Sequence, residues 1–337
     1  MACKAKRFIS RALIFIALPL FPVGAGSQGL KQVYMSYGAV DVDQLPGWIA
    51  KETGIFRQNG LDAQLVYFTG GAQRIAALLS GDAPVTQGSG PAAITSNLRG
   101  ADVVVIAGGT VTLDFWLMSR PEIKSPQQLR SGSIGISRFG GVNDSILRFL
   151  MPKLGLTIGK DVAIRQLGGL SERLAALETG QIQATILSLP ANLVAQKKGF
   201  NVLADVAALG LVYQHTSVAT TRRFIRENPD TVRRYVKAQI EAVHRLKTDK
   251  ETGIKVLAKY LAGLKDREIL ETAYNRAVAD ARLPRKQYPS LDGIKTILED
   301  LAESEPKAKT AKPEDFVDMR FVQELDQVGF IDKLYQK

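Results

Sequence analysis

Two short segments combine residue types suited to holding a polar or anionic group. Ser89-Gly90-Pro91 and Ser188-Leu189-Pro190 each fall between a run of strand character and a helix whose first turn proline favours. A helix start presents unpaired N–H groups and partial positive charge, and a serine there adds a hydroxyl donor or simply caps the helix. Gly70-Gly71 and Gly140-Gly141 precede two further helices, where glycine permits close approach of a ligand to the backbone or makes a turn. Tyr37-Gly38 at the end of the first strand, and Arg138 beside Phe139, offer an aromatic wall and a counter-charge. This is chemistry for holding a small solute, with no bond made or broken.

Reactive chemistry has little to work with. His215 and His244 are the only histidines and Cys3 is the only cysteine, and no His/Cys/Asp cluster carries metal-ligand spacing. There is no Gly-x-Ser-x-Gly elbow, no phosphate-binding P-loop and no His-Glu-x-x-His. The run Gly88 to Ala93 superficially matches a dinucleotide fingerprint, but the acidic residue required at the end of the next strand is missing, since Asp102 precedes that strand and Thr110 lies near its end. No enzymatic activity, metal or cofactor is expected. His215 is a candidate ligand contact, His244 reads as a surface residue, and Asp41, Asp43 and Asp114 read as caps or turn residues.

The elements that must position these groups alternate between short strands and amphipathic helices punctuated by glycine, the pattern of α/β layers. Strands are predicted at 32–36, 63–69, 85–87 and 103–107, with helices at 46–52, 72–79 and 91–99. A second run of the same kind opens at Ser125-Pro126, with strands at 133–137 and 162–167 and a helix over 142–154. Shifted by 99 positions, the segment from Gly70 to Gly100 lies over Gly169 to Gly199 without a gap. Arg74 and Arg173, Gly81 and Gly180, Thr86 and Thr185, Ser89 and Ser188, and Pro91 and Pro190 coincide. The preferred reading is two lobes on one plan, each offering equivalent loops to a shared cleft. After a strand at 217–221 the chain is nearly all helical. Pro229 opens a long helix with an apolar stripe of Val232, Tyr235, Val236, Ile240 and Val243, and the later helices read as packing layers, with a solvated loop at 307–312.

The amino terminus predicts export. Lys4, Lys6, Arg7 and Arg11 precede an apolar run from Ala12 to Val23 that ends in small residues, the pattern of a cleavable signal peptide over 1–27. The run is shorter than the ~20 residues that span a bilayer. The leader holds four of the basic residues and no acid, so the formal charge of +11 becomes +7 on processing. That mild excess, outside the cytoplasm, does not call for nucleic acid as a partner.

Gly47-Trp48-Ile49-Ala50-Lys51-Glu52-Thr53-Gly54-Ile55-Phe56, then Gly60-Leu61-Asp62, then Ala76-Ala77-Leu78-Leu79-Ser80-Gly81 carry a family resemblance, with Ile123 to Arg130 and Phe139-Gly140-Gly141 as the later counterpart. The chain resembles the substrate-binding proteins of ABC transporters in the SsuA/THI5-like (NMT1-like) family. That likeness implies an α/β, two-lobed, type II periplasmic-binding-protein fold with two crossover strands, near 115–119 and 206–213. It implies lobe one at 28–119 plus 213–337 and lobe two at 120–212. It implies a periplasmic monomer that binds a small molecule of the sulfonate, nitrate or pyrimidine-precursor class and delivers it to ABC permease subunits. The ligand contacts implied are Tyr37, Gly38, Gly70, Gly71, Ser89, Gly90, Gly140, Gly141 and Ser188. Without a cysteine in the mature chain, the iron-dependent pyrimidine synthesis found in this superfamily is not implied. An enzyme on the same fold, or an exported sensor without transport, are the alternatives.

Overall fold

The computed structural model describes Met1 and residues 29–68, 71–261 and 263–336. The expected leader, apart from Met1, and the candidate residue Gly70 lie outside the described residues.

The first α/β run is β1 (Lys31–Tyr37), α1 (Leu45–Glu52), α2 (Ile55–Gln58), β2 (Leu61–Tyr67), α3 (Gly71–Ser80), β3 (Val85–Ser89), α4 (Gly90–Leu98) and β4 (Val103–Ala107). The second is β5 (Phe115–Ser119), β6 (Gly132–Ile136), α5 (Val142–Lys153), β7 (Val162–Gln166), α6 (Leu170–Glu178), β8 (Ala184–Ser188), α7 (Ala191–Lys197) and β9 (Asn201–Asp205). β10 (Thr216–Thr221) follows, then α8 (Arg222–Glu227), α9 (Pro229–Thr248), α10 (Lys250–Tyr260), α11 (Arg267–Ala277), α12 (Leu291–Leu301), α13 (Arg320–Gln327) and α14 (Phe330–Leu334).

The strands form two sheets of one design, ordered β2-β1-β3-β10-β4 and β7-β6-β8-β5-β9. In each, the first three strands run parallel, as helical crossovers require, and the fourth is antiparallel to both neighbours. Each antiparallel strand is the first the chain makes on crossing into its sheet: β5 follows the passage from the first sheet to the second, and β10 the passage back. β5 was expected to close lobe one, but it is a central strand of the second sheet. All five of its residues are buried, with β8 and β9 on its two edges, the placement an unbroken apolar run favours. The chain therefore changes sheet over 108–114, ahead of this strand.

The 99-residue offset holds in helix-ending glycines and in side-chain hydrogen bonds. Gly81 and Gly180 end α3 and α6 with φ of 90° and 79°, and Gly100 and Gly199 follow α4 and α7 with φ of 94° and 88°. Those are positions where a Cβ would be strained. The Thr86 hydroxyl donates to the Ser36 carbonyl at 3.4 Å, and the Thr185 hydroxyl to the Gly135 carbonyl at 2.9 Å. Ser36 and Gly135 are also 99 apart, so the repeat reaches back into β1 and β6, where no identity reveals it.

The C-terminal helices back the first sheet. The predicted stripe of α9 is fully buried, and Trp48 of α1 stacks on Tyr260 of α10 with ring centroids 4.4 Å apart. The segment expected as a solvated loop at 307–312 begins with a short helical turn that buries Ala308.

Candidate functional site

A cleft of ≈ 1770 Å³ runs between the two sheets, walled by the C-terminal ends of their parallel strands and the helix starts that follow. Gly38 and Gly71 face it from the first half, with Ser89 at the start of α4. Arg138, Phe139, Gly140 and Gly141 face it from the loop before α5, and Ser188 from the end of β8. Phe139 is exposed.

Two candidates stand apart from the wall. The Tyr37 ring packs edge-on against Trp48 at 6.0 Å and beside Tyr67 at 5.4 Å; burial and then Tyr67 raise its pKa. Gly90 is buried with its N–H donating to the His215 carbonyl at 3.0 Å, and a Cβ there would collide with the Gln214 carbonyl. Its missing side chain makes room for the chain leading into β10. Gly90→Ala should therefore cost about 1–3 kcal/mol through forced displacement. Urea unfolding checks this, and a cost below measurement error would mean that segment is free to move.

The two serines differ despite their equivalence. Ser89 Oγ accepts from the Ala92 N–H at 3.3 Å and so caps α4. Ser188 caps nothing. Leu189-Pro190 is a cis peptide, α7 starts only at Ala191, and the Ser188 hydroxyl instead donates to Asp41 Oδ2 at 3.1 Å, from one half of the molecule to the other. The Val42 N–H and the Leu189 carbonyl, 3.4 Å apart, reinforce that junction.

Behind the cleft floor lies a buried charged network that joins both chain passages between the sheets. Asp43 accepts from Arg282, from His215 Nε2 at 3.0 Å and from the Thr110 hydroxyl at 3.2 Å. Thr110 N–H donates to Thr216 Oγ1 at 2.9 Å. Arg282 also faces Asp114 at 3.7 Å, and Asp114 accepts from Arg276 at 2.6 Å. Thr110 and Asp114 lie on the first passage and His215 on the second, and Phe115 meets the His215 ring edge-on at 5.0 Å. Burial alone would raise the pKa of Asp43, but Arg282 and His215 outweigh it and hold the carboxyl below the usual range. Asp41 goes the other way: burial, then the charge of Asp43, push it up to about 7.

Asp41 is the cap the sequence suggested, since its Oδ1 accepts from the Asp43 N–H at 3.1 Å, but its second oxygen makes the bridge to Ser188. Asp43 and Asp114 are members of the network rather than surface caps. His215 lines the cleft, although its one hydrogen-bonding nitrogen is turned to Asp43, and Nδ1 has no partner among the described residues. His244 is half-buried against Tyr335. Sequence reasoning gave no site role to Arg282, Thr110 or Thr216. Among the described residues no group of His, Cys, Asp and Glu could hold a metal ion, and no helix is long and apolar enough to cross a membrane.

Two α/β halves of one topology, each with a single antiparallel strand among parallel ones, joined by two chain passages and with a cleft between them, define a type II periplasmic-binding-protein fold. The sequence profile of the NMT1/THI5-like family matches residues 42–251, and the chain belongs to that family. No curated protein matches it. A protein from Bordetella bronchiseptica is similar in structure, with a TM-score of 0.76 at 21% identity, covering 91% of this chain and 98% of that one. So is the alkanesulfonate-binding protein SsuA from Xanthomonas axonopodis pv. citri bound to MOPS, with a TM-score of 0.66 at 19% identity, covering 85% and 96%. The periplasmic nitrate-binding protein NrtA from Synechocystis has a TM-score of 0.67 at 13% identity, covering 89% of each chain.

Proposed function

We propose that this protein is an exported, non-catalytic receptor that captures a small polar or anionic organic solute in the cleft and delivers it to ABC permease subunits. The observation that carries this reading is the cleft itself, built from glycine-rich loops and helix starts of both halves. Its ≈ 1770 Å³ exceeds the roughly 300–1000 Å³ of an ordinary ligand pocket, so a small solute is enclosed once the halves approach. The basic, apolar leader pattern supports export, and the family's sulfonate- and nitrate-binding relatives support a transported solute. Tyr37, Gly38, Gly70, Gly71, Ser89, Gly90, Arg138, Phe139, Gly140, Gly141 and Ser188 remain the sequence-derived candidates for contact. Tyr37 and Gly90 rank last, because their neighbours occupy them.

A thermal-shift screen of the purified protein against sulfonates, nitrate, bicarbonate, pyrimidines and aromatic acids tests the reading. A ligand that binds only the folded state raises the melting temperature. A shift without turnover by mass spectrometry is the expected result. Conversion of a hit to product would make the protein an enzyme.

A further inference from the structure

The repeat places one arginine from each half at the cleft. Arg74 of α3 and Arg173 of α6 are 6% and 5% exposed, occupy equivalent positions 99 residues apart, and both line the cleft wall. Each is held from behind in the same way. Arg74 Nη1 donates to the Gln87 carbonyl at 3.2 Å, and Arg173 Nη1 donates to the carbonyl of Ile186, the residue equivalent to Gln87. Arg173 Nε adds a bond to the Gly169 carbonyl at 3.2 Å. Around Arg74 the backbone is shaped to the guanidinium, since a Cβ on Gly38 or Gly88 would fall inside it.

A guanidinium fixed by its own backbone contacts has already lost most of its rotamer freedom, which is the condition under which arginine binds an oxyanion well. The charge around the pair is lopsided. Asp41 is the carboxylate whose field reaches both arginines, with Tyr67 near both and Glu172 near Arg173 alone. Asp41 itself is committed to Ser188.

We propose that Arg74 and Arg173 form a two-sided clamp for the acidic group of the solute, a carboxylate, sulfonate or phosphonate held between the halves. The proposal rests on the receptor reading and narrows it to anionic solutes. An anion that touches one arginine from each half gains its second contact only as the halves approach, so binding favours the closed form.

The experiment titrates the purified protein with acids and their uncharged counterparts: benzoate against benzamide, methanesulfonate against methanesulfonamide, and phenylphosphonate against its diamide. At least one acid should bind tenfold or more tighter than its neutral partner. Arg74→Gln and Arg173→Gln should each weaken that acid about ten- to hundredfold while leaving the neutral partner unchanged, and Arg173→Lys should retain part of the preference. Should the glutamine variants fail to fold, Arg74→Lys and Arg173→Lys are read for the same acid-to-amide ratio. Neutral partners binding as tightly as acids, or an acid preference untouched by either substitution, would overturn the clamp and leave the receptor standing. Failure of every probe, charged and neutral, would count against the receptor and the clamp together.

Discussion

Asp43→Ala should cost about 3–5 kcal/mol of folding stability, the usual penalty for removing one partner of a buried ion pair. The Asp43 side chain is 3% exposed, and its partners Arg282 and His215 are each 7% exposed. Without the carboxylate, Arg282 keeps the Ala277 carbonyl at 3.4 Å and Asp114 at 3.7 Å, and Arg276 already holds Asp114 at 2.6 Å. The Thr110 hydroxyl and His215 Nε2 lose the acceptor they share. Because these groups come from both passages between the sheets, the loss should appear in the cooperative unfolding of the whole chain. Asp43→Asn combined with Arg282→Met, which leaves no unmatched charge, should recover much of the loss. Chemical denaturation of the three proteins decides the matter, and an alanine variant within 1 kcal/mol of the parent would show that water fills the site.

Stability should decline as pH rises from about 4 to about 7, and Asp41→Asn should flatten that slope, leaving the part from Asp114 and Asp300, whose carboxyls burial also raises. In the unfolded chain Asp41 ionises near 3.9. In the folded protein, burial and the neighbouring Asp43 hold it protonated up to about 7. Between those values the folded state binds one more proton than the unfolded state, so each step up in pH favours unfolding. The contribution is fully present below the lower limit and lost above the upper one, and amounts to at most about 4 kcal/mol at 1.36 kcal/mol per unit. Asp43, depressed by Arg282 and His215, acts oppositely, and its contribution is lost as pH falls below about 4. The asparagine variant keeps an acceptor for Ser188 and isolates the Asp41 component. Melting temperatures measured from pH 4 to pH 8 with the same slope in both proteins would show that Asp41 does not titrate in that window.

The doubled architecture was legible because it is written in local chemistry: glycines that must take positive φ after helices, and inward arginines and threonines at fixed distances from them. The first passage between the sheets was not legible at the right residue. Phe115-Trp116-Leu117-Met118 reads as a buried strand in either sheet, and only its pairing with β8 and β9 decides. Asp41 shows a further limit, because its local role as a cap is correct and hides its second oxygen's contact with a residue 147 positions away. Arg282 sits in an irregular stretch after α11 with no periodicity to expose it, and reaches Asp43 across 239 positions. Arg74 and Arg173 were visible as a repeated identity, but a basic residue on an alanine-rich helix ordinarily points to solvent, and their burial belongs to tertiary structure.

The return of β10 to the first sheet makes the first half wait for the second. A chain stopped near residue 124 would present β5, with its phenylalanine, tryptophan, leucine and methionine, to a second sheet that does not yet exist. Its first sheet would also lack β10, leaving β3 and β4 without the strand that joins them. The first sheet cannot finish before the second has been made, so a chain emerging from its amino terminus keeps its first half unfinished until residue 221 is available. Until then β3 and β4 carry open edges, the kind of surface on which one chain adds to another.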